Sequence, residues 1–140
     1  TKSLMEYPDS KTDIYIFDTF GESGNLISVS DIIILGGTLM PVGGHNIIEP
    51  AQFGKCLISG EYYFKLNDIM KLFIDNNAAI TTKNINLQNT IESFLKNKIL
   101  LKKMGSNAYN LTKTFKDTDR IVYKKIKKIC LKNENTKILV

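Results

Sequence analysis

The residues best placed to do chemistry lie between Gly36 and Glu49, in the run GGTLMPVGGHNIIE. Two glycine pairs bracket a small loop, and His45, Asn46 and Glu49 follow. Glycines admit positive φ and let the main chain approach a ligand closely. The spacing places a helix start near Asn46, where the first N–H groups lack intrahelical acceptors and the dipole adds partial positive charge. A phosphate or carboxylate suits that position. Asn46 is a good N-cap type. Glu49 stands three residues on, at capping-box spacing, so its carboxylate reads either as a cap or as a ligand-binding group.

Elements on both sides must hold this loop. Ile32–Leu35 reads as a buried strand that delivers the chain into it, and Ile47–Phe53 as a helix stopped by Gly54. Further strands are expected at Asp13–Phe17, Cys56–Ser59 and Ala78–Thr82. Helices are expected at Glu22–Val29, Leu66–Asp75, Leu87–Leu95, Ile99–Phe115 and Thr118–Leu131, with Gly24 weakening the first. Thr1–Lys11 is a polar entry segment, and Lys132–Val140 a loose tail. Strands separated by helices of this size imply an α/β fold, a parallel sheet with helices on both faces. In such folds ligands sit beyond the carboxyl ends of strands. The loops Asp18–Glu22, Gly36–His45 and Gly60–Lys65 would then share one edge and form one cleft.

Composition narrows the class. A chain of 140 residues with 43% hydrophobic and 24% charged residues can build one soluble-type core. The net charge of +5 suits an anionic ligand or surface without choosing among them. No apolar run approaches the roughly 20 residues that a membrane-spanning helix needs. Cys56 and Cys130 are far apart and read as reduced structural thiols, and a single histidine excludes a multi-histidine zinc site. No Gly-Lys-Ser/Thr follows the glycines, their spacing is not that of the dinucleotide fingerprint, and no nucleophile elbow is present. The basic run Lys124-Lys125-Ile126-Lys127-Lys128 reads first as a solvated amphipathic helix, next as a lipid-headgroup contact, and last as a nucleic-acid contact. The chain opens at Thr1 and almost directly enters a strand, which we read as the start of a piece cut from a longer protein.

GGTLMPVGGHNIIEPAQFGK, Gly36 to Lys55, resembles the GGSLVPxGGHNxLEPAxxGx signature of the 3-deoxy-D-manno-octulosonic acid (Kdo) transferases. DTFGES, Asp18 to Ser23, resembles the DTMGEL segment that precedes it in that family, at matching spacing. MGSNAYNLTK, Met104 to Lys113, resembles the family's carboxyl-terminal helix. The segment GEYYFKL, Gly60 to Leu66, departs from the family's GPxxFNF, and no ligand contact is assigned to it.

The resemblance implies a Rossmann-like domain, the carboxyl-terminal, donor-binding half of an inverting glycosyltransferase of the two-domain GT-B type. It implies transfer of Kdo from CMP-Kdo to a lipid A precursor at the cytoplasmic face of the bacterial inner membrane. The acceptor surface, membrane anchor and catalytic base would belong to an amino-terminal domain outside this chain, so the chain alone is expected to be inactive. By position, CMP contacts fall on Phe20, Gly21 and Glu22, and on Asn46, Ile47, Ile48 and Glu49. Gly43, Gly44 and His45 are further candidates, for the phosphate or the Kdo carboxylate. CMP-Kdo is a substrate, and no cofactor, metal or nucleic acid is implied. The donor domain is expected over residues 1–131, with residues 132–140 as a flexible tail. Another GT-B transferase, or a non-catalytic nucleotide- or anion-binding module, is the alternative.

Overall fold

Cys56–Ser59 is apolar on both sides of the pleat, and all four residues are buried. A strand of that composition needs cover on both faces. It receives it in the structure, a computed structural model that describes residues 7–130. This strand, β2, is the centre of a parallel sheet of order β1-β2-β3, with β1 at Ile32–Ile34 and β3 at Ile80–Thr81. Ile33 lies opposite Leu57, and Ile58 opposite Ile80.

Six α-helices accompany the sheet among the described residues: α1 Ser23–Val29, α2 Ile48–Gln52, α3 Asn67–Asp75, α4 Leu87–Lys96, α5 Lys98–Lys113 and α6 Lys116–Cys130. Leu57 faces a cluster with Leu35 and Ile47 from the loop after β1, Ala51 of α2, Met70 and Phe73 of α3, and Ala108 of α5. Cys56 and Ile58 face the opposite cluster, with Phe94 of α4 and Met104 of α5. The alternation along one strand thus serves two cores, and the α/β, Rossmann-like fold with helices on both faces is as expected. Burying a Leu or Phe in such a core stabilises by about 1.5–3 kcal/mol each.

Boundaries follow local chemistry. Gly54 ends α2 in the left-handed region at φ 65°, and its N–H donates to Ala51 O at 2.9 Å. Asn97 separates α4 from α5, and its side chain accepts from Leu100 N at 3.0 Å. A turn of 3-10 helix at Asn84–Asn86 links β3 to α4. Cys56 is buried and free, and its thiol lies 3.5 Å from Met104 Sδ. Burial pushes that thiol up to about 11. Among the described residues no helix is long and apolar enough to cross a membrane.

One expected strand is absent. Asp13–Phe17 does not join the sheet, although its residues alternate between half-buried and exposed. Ile14 is 84% and Ile16 59% exposed. Alternation supplies a strand's side-chain pattern but not its hydrogen-bonded ladder, and the sheet of the described residues holds only β1, β2 and β3. β1 is paired only with β2 among the described residues. The first six residues of the expected entry segment lie outside the described residues, as do Leu131 and the expected tail.

Candidate functional site: loops at the carboxyl edge of the sheet

The chain leaves β1 through Leu35 and turns at Gly36–His45. The loop closes on itself: Gly43 N and Gly44 N both donate to Gly37 O, at 3.1 and 3.0 Å, and His45 N donates to Gly36 O at 3.1 Å. Gly43 sits at φ 108° against Phe64 and Lys65, and a Cβ there would come within 2.7 Å of Lys65 Cγ. Only a glycine fits that combination of dihedral and space. The His45 imidazole lies over Gly36 and Gly37, which gives the first glycine pair a packing role.

Thr38, which is not among the expected site residues, is the fastening of the whole edge. It is fully buried. Its hydroxyl donates to Leu35 O at 2.6 Å and accepts from Gly60 N at 2.8 Å. Its carbonyl accepts from Tyr62 N at 2.9 Å. The loop after β2 is thereby sewn to the loop after β1, and a Cβ on Gly60 would fall 2.1 Å from Thr38 O. Lys65 N donates to Gly43 O at 3.2 Å, and Asn84, beyond β3, donates its side-chain amide to Leu39 O at 2.7 Å. The loops after all three strands meet at one edge. A glycine directly after a buried strand was the available signal for that approach.

The expected helix start shifts by a residue or two. α2 begins at Ile48 and holds five residues. Asn46 is not the N-cap: that position falls on Ile47, which makes no side-chain cap bond, and Asn46 Oδ1 instead accepts from Ile48 N at 2.9 Å in an Asx turn one residue earlier. So short a helix has a small dipole, which weakens the electrostatic part of the expectation. The Gly43, Gly44 and His45 amides are engaged inside the loop, whereas the N–H groups of Asn46, Ile47 and Glu49 have no acceptor among the described residues. Ile47 is buried in the core, Ile48 and Glu49 are half-buried, and Asn46 and His45 are exposed.

Glu49 does not close a capping box. Its Oε1 accepts from Ser23 Oγ at 2.7 Å, across 26 positions of sequence. That bond brings the DTFGES stretch to the start of α2. Inside the stretch, Thr19 Oγ1 donates to Glu22 Oε2 at 2.8 Å, Gly21 turns at φ 79°, and the Phe20 ring is fully exposed. The Asp18–Glu22 loop therefore reaches the edge without a strand before it. Phe20 and Gly21 also line an open groove of about 530 Å3 floored by Ile32, Ile33 and Ile34. Asn46–Glu49 do not line that groove. Ser23 was not among the expected site residues; a hydroxyl next to the Gly-Glu turn was the only hint of it.

Comparison with known proteins gives this edge a context. No family model matches the chain. A 3-deoxy-D-manno-octulosonic acid transferase of Rickettsia typhi is 44% identical over 110 residues, 76% of this chain and 24% of that protein. The transferase of the same name from Haemophilus influenzae is 27% identical over 112 residues, 79% of this chain and 26% of that protein. The crystal structure of the C-terminal CMP-Kdo binding domain of WaaA from Acinetobacter baumannii matches with a TM-score of 0.73 at 27% identity, over 78% of this chain and 57% of that one. The chain belongs with the carboxyl-terminal domain of the Kdo transferases. It spans about a quarter of the length of the curated Kdo transferases it matches. Within that Kdo transferase framework, the DTFGES and GGHNIIEP motifs are the two stretches that the Ser23–Glu49 bond joins.

Proposed function

We propose that this chain is the donor-binding domain of a Kdo transferase, and that it holds CMP-Kdo at the carboxyl edge of its sheet. The observation that carries the reading is the Ser23–Glu49 hydrogen bond, which unites two motifs 26 residues apart in a chain similar to a CMP-Kdo binding domain. Glu49 has one oxygen on Ser23, and its Oε2 has no partner among the described residues. That oxygen is the acceptor for the ribose hydroxyls of the cytidylate. The N–H groups of Asn46, Ile47 and Glu49 face the phosphate, with Ile48 shaping the turn. Phe20, Gly21 and Glu22 close the other side. His45 lies against the phosphate or the Kdo carboxylate, while Gly43 and Gly44 act by giving the loop its shape, since their own amides are spent on Gly37.

In the whole enzyme, the acceptor hydroxyl of a lipid A precursor attacks the anomeric carbon of Kdo and CMP departs, with inversion. The base that takes the hydroxyl proton is supplied from outside residues 1–131, so this chain alone binds donor and does not turn it over. The reaction takes place at the cytoplasmic face of the inner membrane, in lipopolysaccharide biosynthesis. Helix N–H groups and loop amides offset the charge on departing CMP, so no metal or cofactor is required.

Calorimetric titration with CMP tests the reading. Wild-type chain binds CMP, UDP competes poorly, and Glu49→Ala lowers affinity by more than tenfold, consistent with losing charge-assisted bonds of about 1.5–3 kcal/mol each. Unchanged affinity in Glu49→Ala, or preference for UDP, overturns it.

A further inference from the structure

The last described helix is built unlike the others. α6 runs from Lys116 to Cys130, and every residue from Ile121 to Ile129 is exposed. Those nine residues, IVYKKIKKI, hold four lysines and no acid. At roughly 100° per residue, Val122, Ile126 and Ile129 fall on one stripe. Lys125 borders the stripe on one side, and Tyr123 followed by Lys127 on the other. Lys124 and Lys128 lie behind it.

An apolar stripe left in water for two turns is costly, at about 25 cal/mol for each Å2. Solubility alone does not call for isoleucines at positions that lysine or glutamate could fill. We propose that this face of α6 seats on an anionic phospholipid bilayer, lying in the interface with the isoleucine stripe toward the acyl chains and the lysines on headgroup phosphates. Charge and apolarity point to the same occupant. A nucleic-acid backbone would satisfy the lysines but offers nothing to Val122, Ile126 and Ile129. A bilayer surface satisfies both, and lysine stems and a tyrosine at the border of the stripe suit its boundary between water and hydrocarbon. Binding would orient the domain with α6 on the lipid. The inference rests on α6 alone and does not depend on what the carboxyl edge of the sheet binds.

The chain contains no tryptophan, so Tyr123→Trp places a single fluorescent reporter beside the stripe. In low salt, vesicles containing phosphatidylglycerol should shift its emission to the blue and carry the chain down on sedimentation. Pure phosphatidylcholine vesicles, or high salt, should not. Lys127→Glu with Lys128→Glu should weaken partitioning by at least about 25-fold, at about fivefold per lysine. Ile126→Asp with Ile129→Asp should abolish the blue shift while leaving the thermal midpoint unchanged, because both positions are exposed. Calorimetric binding of CMP, measured on the same variants, should not change, which separates this inference from the donor-binding reading. Absence of vesicle binding by the wild-type chain overturns the proposal, as does equal binding to neutral vesicles or to the lysine variant. So does an α6-mediated dimer that Ile126→Asp dissolves and vesicles leave intact.

Discussion

The two loops that meet at the site are held in opposite ways. Gly36–His45 is fixed from within by four main-chain bonds, and is tied outward through its own Thr38 to Leu35 and Gly60 and by bonds from Lys65 and Asn84. Asp18–Ser23 carries Thr19 on Glu22 and reaches its neighbour through Ser23 on Glu49. The first loop is a rigid platform. The second is joined to the first through a hydroxyl and a carboxylate that a nucleotide would also engage. Under the proposed function, Glu49 serves both as ligand acceptor and as the link between the loops, so donor binding and the placement of Phe20–Glu22 are coupled through one side chain.

Substitutions on the two loops should therefore differ in kind. The largest effect is expected at Gly60→Ala, whose new methyl meets the Thr38 carbonyl, a backbone atom that cannot step aside cheaply. We expect a loss of about 1–3 kcal/mol in denaturant unfolding, with CMP affinity falling in parallel. Thr38→Val comes next: the shape is kept, but Gly60 N loses its buried acceptor, for about 1–3 kcal/mol by the same measurement. A null result at both positions would remove the rigid half of the contrast. Ser23→Ala should cost less, about 0.5–1.5 kcal/mol, and should show instead as faster amide hydrogen exchange confined to residues 18–23. Exchange that quickens equally in residues 36–45 would mean that the loops are one unit. The smallest effect, at neutral pH, belongs to Cys56, which lies outside both loops. Its raised folded value means that its contribution is fully present below the ordinary thiol value of 9.0 and is lost as pH rises toward about 11. Alkylation of the native chain at pH 8 should accordingly be much slower than in denaturant.

Much of this was legible in the residues. The apolar run at Cys56–Ser59 announced a strand and Gly54 the end of α2, while Asn46 announced a polar turn before that helix and missed the cap position by one residue. What escaped was whatever depended on a partner distant in sequence. Asp13–Phe17 has a strand's composition, but a strand exists only beside another. Thr38 looks like any loop threonine until Gly60 is placed over it. Ser23 has no local signature, because its acceptor is 26 residues away. The amides of Gly43 and Gly44, which composition alone offers to an anion, turn inward because Gly37 presents a carbonyl to both. Local chemistry thus predicts which groups are present, and long-range packing decides which of them are left over for a ligand.

The one-sided pairing of β1 has a practical consequence. Among the described residues the outer edge of this three-residue strand has no ladder partner in the sheet, with Ile34 38% exposed beside it, and an edge of that kind is where a strand of another copy could pair. Purified alone, the protein should stay dispersed at low concentration, helped by its surplus of lysine, and should gel or precipitate as concentration and ionic strength rise together. Any biophysical work on it is therefore best begun dilute and in little salt.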